Sequence, residues 1–226
     1  MPELPEVENV AIALRLNLQG RRLTGLKVRF AGVLSQSPLR TRQVLLGKRL
    51  QKIHRHGKYL LLTFTDDSTS DSESLAADHA SLVTDTNSPQ NRYLPGSSPA
   101  PDANSEAAYL MIHLRMTGQI FILESYRPDK HVHLILDFEG MPVHYRDIRK
   151  FGRFTLVENG RQPRAIDHIG PDMLEVRFPV WCDRLKGRTA SIKALLLDQR
   201  IAAGHPSSCF IGQPHSGFEF RRPSVT

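Results

Sequence analysis

The stretch MPELPEVENVAIALRLNLQG, residues 1–20, sets the reading of the whole chain. Val7, Val10, Ala11, Leu14 and Leu18 recur at helical spacing on one face, which predicts an amphipathic helix over residues 5–19. Pro5 suits the first turn, where no N–H is needed, and Gly20 stops the helix. Glu3 then stands at the positive end of the helix dipole. Three carboxylates, Glu3, Glu6 and Glu8, thus open a chain with net charge +7 and a pI near 9.7. A solvated helix start and a chemical role both account for them at this point.

Outward from this helix the pattern changes to short apolar runs. Residues 22–30, 49–54, 58–64 (KYLLLTF), 109–116, 119–123, 131–138 and 151–157 read as strands separated by turn residues. One helix followed by many short strands predicts an α+β fold, with the strands in an antiparallel sandwich or barrel. Residues 66–108 interrupt them with Ser, Asp, Pro and Ala, and are expected to be a disordered loop. After residue 165, residues 170–178 and 189–202 read as helices of a second, smaller domain over 165–204. Residues 205–226 show no sustained period and read as an irregular tail.

Charge and cysteine usage narrow the class. Residues 66–108 hold eight acids and one arginine, so the rest of the chain carries +14, a balance that fits a polyanionic partner. No apolar run reaches the length of a membrane span. The two cysteines, Cys182 and Cys209, are far apart and do not form a disulfide framework, which fits a reducing, intracellular setting.

A proline in second place has chemical use once Met1 is removed, because it then presents a secondary amine. An α-amine is half deprotonated near pH 8, and a helix N-terminus disfavours its cation further. Such an amine can attack a carbon bearing a leaving group, with Glu3 as the neighbouring acid or base. On the residues alone, an acidic capped first turn is the favoured account.

The ordered blocks resolve the choice. MPELPEVE (1–8), HGKYLLL (56–62), HLRMTG (113–118), KHVHLIL (130–136), RDIRKFG (146–152), IGPDML (169–174) and SIKALLLDQ (191–199) together resemble the formamidopyrimidine-DNA glycosylase family of bacterial type. Leu4 favours the oxidised-purine branch over the sister endonuclease VIII family, which usually has glycine there. The resemblance implies base-excision repair of damaged duplex DNA by a monomer, with associated abasic-site lyase activity. It implies that residues 1–160 form the catalytic domain and 165–204 part of a helix–two-turn–helix domain. It assigns Pro2 as nucleophile, Glu3 as proton donor, Glu6 as support and Lys58 as an assisting acid. Met116, Arg149 and Phe151 would fill the space of a flipped nucleotide. His131, Arg149, Arg188 and Lys193 would meet the DNA backbone.

The chain also departs from that pattern. Ile148 and Lys150 replace the family's usual proline and second arginine. After Gly204 the family continues with an Asn-bearing turn, a helix and a four-cysteine zinc finger, whereas here HPSSCF follows and the sequence stops at Thr226. A structural zinc site takes four ligands, so no metal or cofactor is expected, and the chain resembles a truncated member. The alternative implied is a weakly active or inactive chain that only binds DNA.

Overall fold

The computed structural model describes residues 2–66, 107–123, 127–158 and 166–204. Helix α1, Leu4–Leu18, opens the chain. Glu3 is its N-cap, in a reciprocal capping box: the Glu3 side chain accepts from the Glu6 backbone, and the Glu6 carboxylate accepts from the Glu3 N–H. Leu4, Val7, Ala11, Leu14 and Leu18 are buried, matching the apolar face except that Val10 is only half-buried.

Eight antiparallel strands follow: β1 Leu23–Val28, β2 Arg49–His56, β3 Tyr59–Thr65, β4 Ala108–His113, β5 Gly118–Ile122, β6 Val132–Phe138, β7 Met141–Asp147 and β8 Arg153–Val157. They form two four-stranded sheets of order β1-β6-β7-β5 and β2-β3-β4-β8. The architecture is the expected α+β one, an open sandwich rather than a closed barrel. Leu62 and Ile112 from one sheet and Leu136 and Phe138 from the other meet Leu14 and Leu18 of α1 around an internal gap of only about 10 Å³. That is room for one water at most, so the layers are in direct apolar contact.

The elements not foreseen include the two that follow and the helix Phe178–Leu185. Helix α2, Pro38–Leu45, starts with Ser37 as N-cap, accepting from the Arg40 N–H at 3.2 Å, and with Pro38 in its first turn. Strand β7 is joined to β6 by Glu139 and Gly140, both at positive φ, a two-residue turn that matches strand twist. Pro142 is tolerated because the β5 ladder ends one residue later, at Ile122 opposite Val143.

The structure corrects several boundaries. His131 lies in the turn before β6, and an irregularity between Val132 and Leu134 buries Val132, His133 and Leu134 together. His131 therefore stands outside the strand that carries His133. Residues 170–177 hold a bridge and a turn rather than a helix, and the helix over 189–202 shrinks to α4, Ile192–Leu197. Helix α3 runs from Phe178 to Leu185. Pro179 fits only an opening turn, which is why the helix begins there rather than ending there. The expected acidic loop lies outside the described residues except at its ends. There Asp66 pairs with Lys48, and Ala107 and Ala108 are buried, Ala108 opening β4. The tail after Gly204 also lies outside them.

Residues 166–204 dock onto the sandwich at α1 and the β2–β3 turn. Gly57 has φ +57°, and a Cβ there would stand 2.9 Å from that of Ala203. A Cβ on Gly204 would strike Leu4. Ala203 accepts from the Met173 N–H and donates to the Pro171 carbonyl.

Phe64 of β3 stands opposite Ala108 of β4, so segment 67–106 leaves and re-enters at neighbouring ladder positions. Replacing it with a short Gly/Ser linker is expected to shift the melting temperature by less than about 4 °C, equivalent to about 1 kcal/mol. Thermal unfolding of the shortened chain checks this; a loss of cooperative melting would place the segment in the core.

Candidate active site

Glu3 and Glu6 come to one place because the capping box holds both at the first turn of α1, directly after Pro2. Lys58 reaches the same place from the β2–β3 turn. Burial pulls its amine below the ordinary lysine range, and the Glu3 and Glu6 carboxylates pull it back upward. Both carboxylates are therefore electrostatic neighbours of a half-buried amine whose proton is easier to give up than that of a solvated lysine.

Lys58 lines a cleft of roughly 910 Å³ together with Tyr59, His113, Arg115, Met116, Phe151 and Arg153. His168, Ile169, Leu197, Gln199 and Arg200, from the second segment, line it as well. Lys58, Arg115, Arg153 and Arg200 make the lining cationic, and none of these side chains is acidic. Burial first, then the Arg115 and Lys58 charges, lower His113 to about 4, so it is neutral near pH 7. Its Nδ1 accepts from the Arg115 backbone N–H at 3.0 Å, leaving Nε2 to carry the proton. Tyr59 meets the His113 ring edge-on at 4.4 Å.

Two loops carry the exposed side chains at the cleft, and one carboxylate organises both. Asp147 is fully buried. Its Oδ1 accepts from the Thr117 hydroxyl and from the Arg149 N–H at 3.1 Å. Its Oδ2 accepts from the Tyr145 hydroxyl and the Gly152 N–H, each at 2.9 Å. Thr117 follows Met116, and Arg149 and Gly152 flank Phe151, so one side chain fixes both loops. Burial alone would raise the Asp147 carboxyl, but these donors hold it below the usual carboxylate range. Gly152 has no substitute, since a Cβ there would lie 1.7 Å from the Tyr145 hydroxyl oxygen. Met116 (42 % exposed) and Phe151 (46 % exposed) stand out of these loops, and the Arg149 guanidinium lies 4.8 Å from the Phe151 ring centre. Arg115 and Lys150, their immediate neighbours, both have positive φ.

The structure thus gathers Glu3, Glu6 and Lys58, and sets Met116, Arg149 and Phe151 beside them. Pro2 is half-buried just ahead of α1, while Met1 lies outside the described residues. His131 is tied to the same corner through its carbonyl, which accepts from the Asp147 N–H at 2.9 Å. Arg188 and Lys193 are exposed and do not line the cleft. Arg188 acts electrostatically on Asp198, and Lys193 rides on α4. His113, Arg115, Arg153, Gln199 and Arg200 were not singled out in the sequence. His113 and Arg115 sit inside the HLRMTG block, where a polar pair beside an exposed Met was the available signal. Among the described residues no group of three or more His, Cys, Asp or Glu is arranged to hold a metal, so they do not supply a four-ligand zinc set. No described helix is long and apolar enough to cross a membrane.

An α1 start bearing two acids over a cationic cleft, on a two-sheet α+β frame, places the protein in a known class. The profile of the formamidopyrimidine-DNA glycosylase N-terminal domain matches residues 1–154, and the chain belongs to that family. The formamidopyrimidine-DNA glycosylase of Chloroflexus aurantiacus is 35% identical over 210 residues, covering 90% of this chain and 61% of that protein. The chain spans about three-fifths of the length of the curated relatives it matches. The structure of MutM in complex with carbocyclic 8-oxo-G containing DNA superposes with a TM-score of 0.64 at 25% identity, covering 90% of this chain and 63% of that one. The Lactococcus lactis glycosylase bound to AP-site-containing DNA shares the fold, with a TM-score of 0.65 at 24% identity, covering 90% of this chain and 65% of that one.

Asp147→Asn leaves one oxygen for four donors and is expected to cost about 2 kcal/mol at pH 7. Because the folded carboxyl is depressed, its contribution is complete above the unfolded pKa of about 3.9 and fades as pH falls through the lower folded value. The melting-temperature gap between wild type and variant should therefore narrow below pH 4. A gap that stays constant to pH 2 would refute the assignment.

Proposed function

We propose that the chain acts in base-excision repair, as a monomeric DNA glycosylase that removes oxidised purines from damaged duplex DNA inside the cell. The observation that carries this reading is the convergence of Glu3, Glu6 and the half-buried Lys58 amine at the start of α1, directly behind Pro2. Names of the relatives and of the DNA complexes support the substrate class.

Pro2 is the nucleophile. Its amine attacks C1′ of the damaged nucleotide, the C1′–base bond breaks, and its electron pair leaves with the base. Glu3 supplies the proton that lets the base, or the opening sugar oxygen, depart. The amine then loses its proton, the C1′–O4′ bond breaks as O4′ takes up a proton, and an iminium links Pro2 to the opened sugar. Proton removal from C2′ then expels the 3′ phosphate. Lys58, with its lowered amine, is suited to donate to that phosphate side, and Glu6 holds Glu3 through the capping box.

Met116, Arg149 and Phe151 suit the space left by an extruded nucleotide, whose unstacking costs a few kcal/mol. His131, Arg188 and Lys193 are assigned to backbone phosphates, with 165–204 as a helical DNA-binding segment. Nε2–H of neutral His113 adds a donor for an anionic oxygen at the cleft. A second reading, DNA binding without turnover, is favoured by one observation: α3 and α4 bury no residue completely, so the part of the clamp they supply is lightly held.

Borohydride trapping on an 8-oxoguanine duplex decides between them, because only an amine nucleophile leaves a reduced covalent adduct. The adduct is expected on Pro2, and only in protein lacking Met1, since a retained Met1 makes that nitrogen an amide. Trapping by protein that keeps Met1 would overturn the Pro2 assignment. Absence of any adduct, alongside salt-sensitive binding to duplex DNA, would select the binding reading.

Glu3→Gln preserves an acceptor for the helix N-terminus but removes the acid. It is expected to lower base excision at least 100-fold, while sparing more of the strand cleavage at preformed abasic sites. Equal losses in the two assays would contradict this division.

A further inference from the structure

Arg55 is the most deeply buried cation of the described residues, 3 % exposed, and it sits far from any surface role. Its Nε donates to Glu8 of α1, and its two terminal nitrogens grip both oxygens of Asp172, Nη2 to Oδ1 at 2.8 Å. Nη1 also donates to the Gly57 carbonyl at 3.0 Å. Asp172 is equally buried, its side chain 1 % exposed. Its Oδ2 accepts from the Gly57 N–H at 2.6 Å, and its Oδ1 from the Leu174 N–H at 3.0 Å. Glu8 is held in turn by Arg15, whose Nε donates to the Ile53 carbonyl at 2.9 Å.

Such a cluster is a weak source of net stability, because desolvating the ions offsets most of their attraction, and apolar side chains of similar volume often serve as well. Its distinctive property is direction. Both peptide groups of Gly57 are engaged, the N–H by Asp172 and the C=O by Arg55, and the next residue is Lys58. The left-handed backbone of Gly57 is pressed against Ala203, so this turn has no slack on its other side. Glu8 lies one helical turn and a residue beyond Glu3, on the same rigid helix.

We infer that Asp172, clamped by Arg55, is a positioning residue that aims the Lys58 amine into the cleft and makes its placement depend on the seating of residues 170–174. The inference deepens the proposed function and rests on it only for the catalytic consequence. Asp172 touches no reacting atom; it acts through the Gly57–Lys58 peptide.

Two variants and two readouts test it. Asp172→Asn keeps the shape but loses the charge and one acceptor oxygen. Arg55→Met combined with Asp172→Leu removes the buried charges together and guards against simple misfolding, which circular dichroism monitors. The first readout needs no DNA: the rate at which Lys58 is acylated by an amine-reactive ester, read by peptide mass spectrometry. Both variants are expected to change that rate about 5-fold or more, relative to other lysines of the same chain. The second is borohydride trapping at a preformed abasic site, in the wild-type and Lys58→Met backgrounds. Asp172→Asn should lower trapping about 10-fold when Lys58 is present and less than about 2-fold when it is absent.

Equal fold losses in both backgrounds, or unchanged Lys58 acylation in a folded variant, would overturn the inference and leave a merely structural ion pair. Should the wild type fail to trap at all, the glycosylase reading falls, and the acylation result alone decides whether Asp172 positions Lys58.

Discussion

A single buried guanidinium determines how the parts of this chain meet. Arg55 makes four hydrogen bonds to Glu8, Asp172 and the Gly57 carbonyl. Taking these ions out of water costs several kcal/mol each, and only complete pairing makes that tolerable. An apolar contact in the same volume would hold α1, β2 and residues 170–174 together, but would leave their relative rotation loose. A planar fork gripping a carboxylate has one geometry. The start of α1 and the Lys58 turn are registered to each other through it, and the two acids meet the amine as a result.

Asp147 repeats the logic at the loops that carry Met116 and Phe151, with neutral donors in place of the guanidinium. Both aspartates are buried, so their negative charges are spent on internal N–H and O–H groups and do not line the cleft. The cleft presents Lys58, Arg115, Arg153 and Arg200 instead. This arrangement reconciles an acidic opening sequence with a basic chain. The carboxylates that organise the protein face inward, and the two kept near the cleft sit at the positive end of a helix.

Legibility in the sequence followed how local each signal was. Helix α1 was readable to within a residue because five apolar positions, a proline and a glycine agree. The strands were readable where β-branched and aromatic runs were uninterrupted. Strand β7 was missed because Pro142 argues against a strand, and only the β5 ladder register shows why it is harmless. Helix α2 was missed although Ser37-Pro38 is a start signal, since its mean composition is polar. The helix expected over 189–202 fell to six residues because Asp198 and Arg200 bind each other and turn the chain. In the site, Pro2, Glu3, Glu6, Lys58, Met116, Arg149 and Phe151 were named from ordered blocks. Asp147 and Asp172 were not, because a carboxylate becomes an organiser only through partners up to 117 residues away.

Arg115 and Lys150 have φ of 58° and 60°, and each adjoins one of the protruding side chains. A non-glycine residue in that region carries strain of order 1 kcal/mol or more, which glycine or asparagine would relieve. The two side chains are long and cationic: Arg115 lines the cleft, and the Lys150 amine lies 4.7 Å from the centre of the Phe30 ring. Efforts to thermostabilise this protein by relaxing strained turns would reach these residues early, and at Arg115 would remove a cation from the cleft.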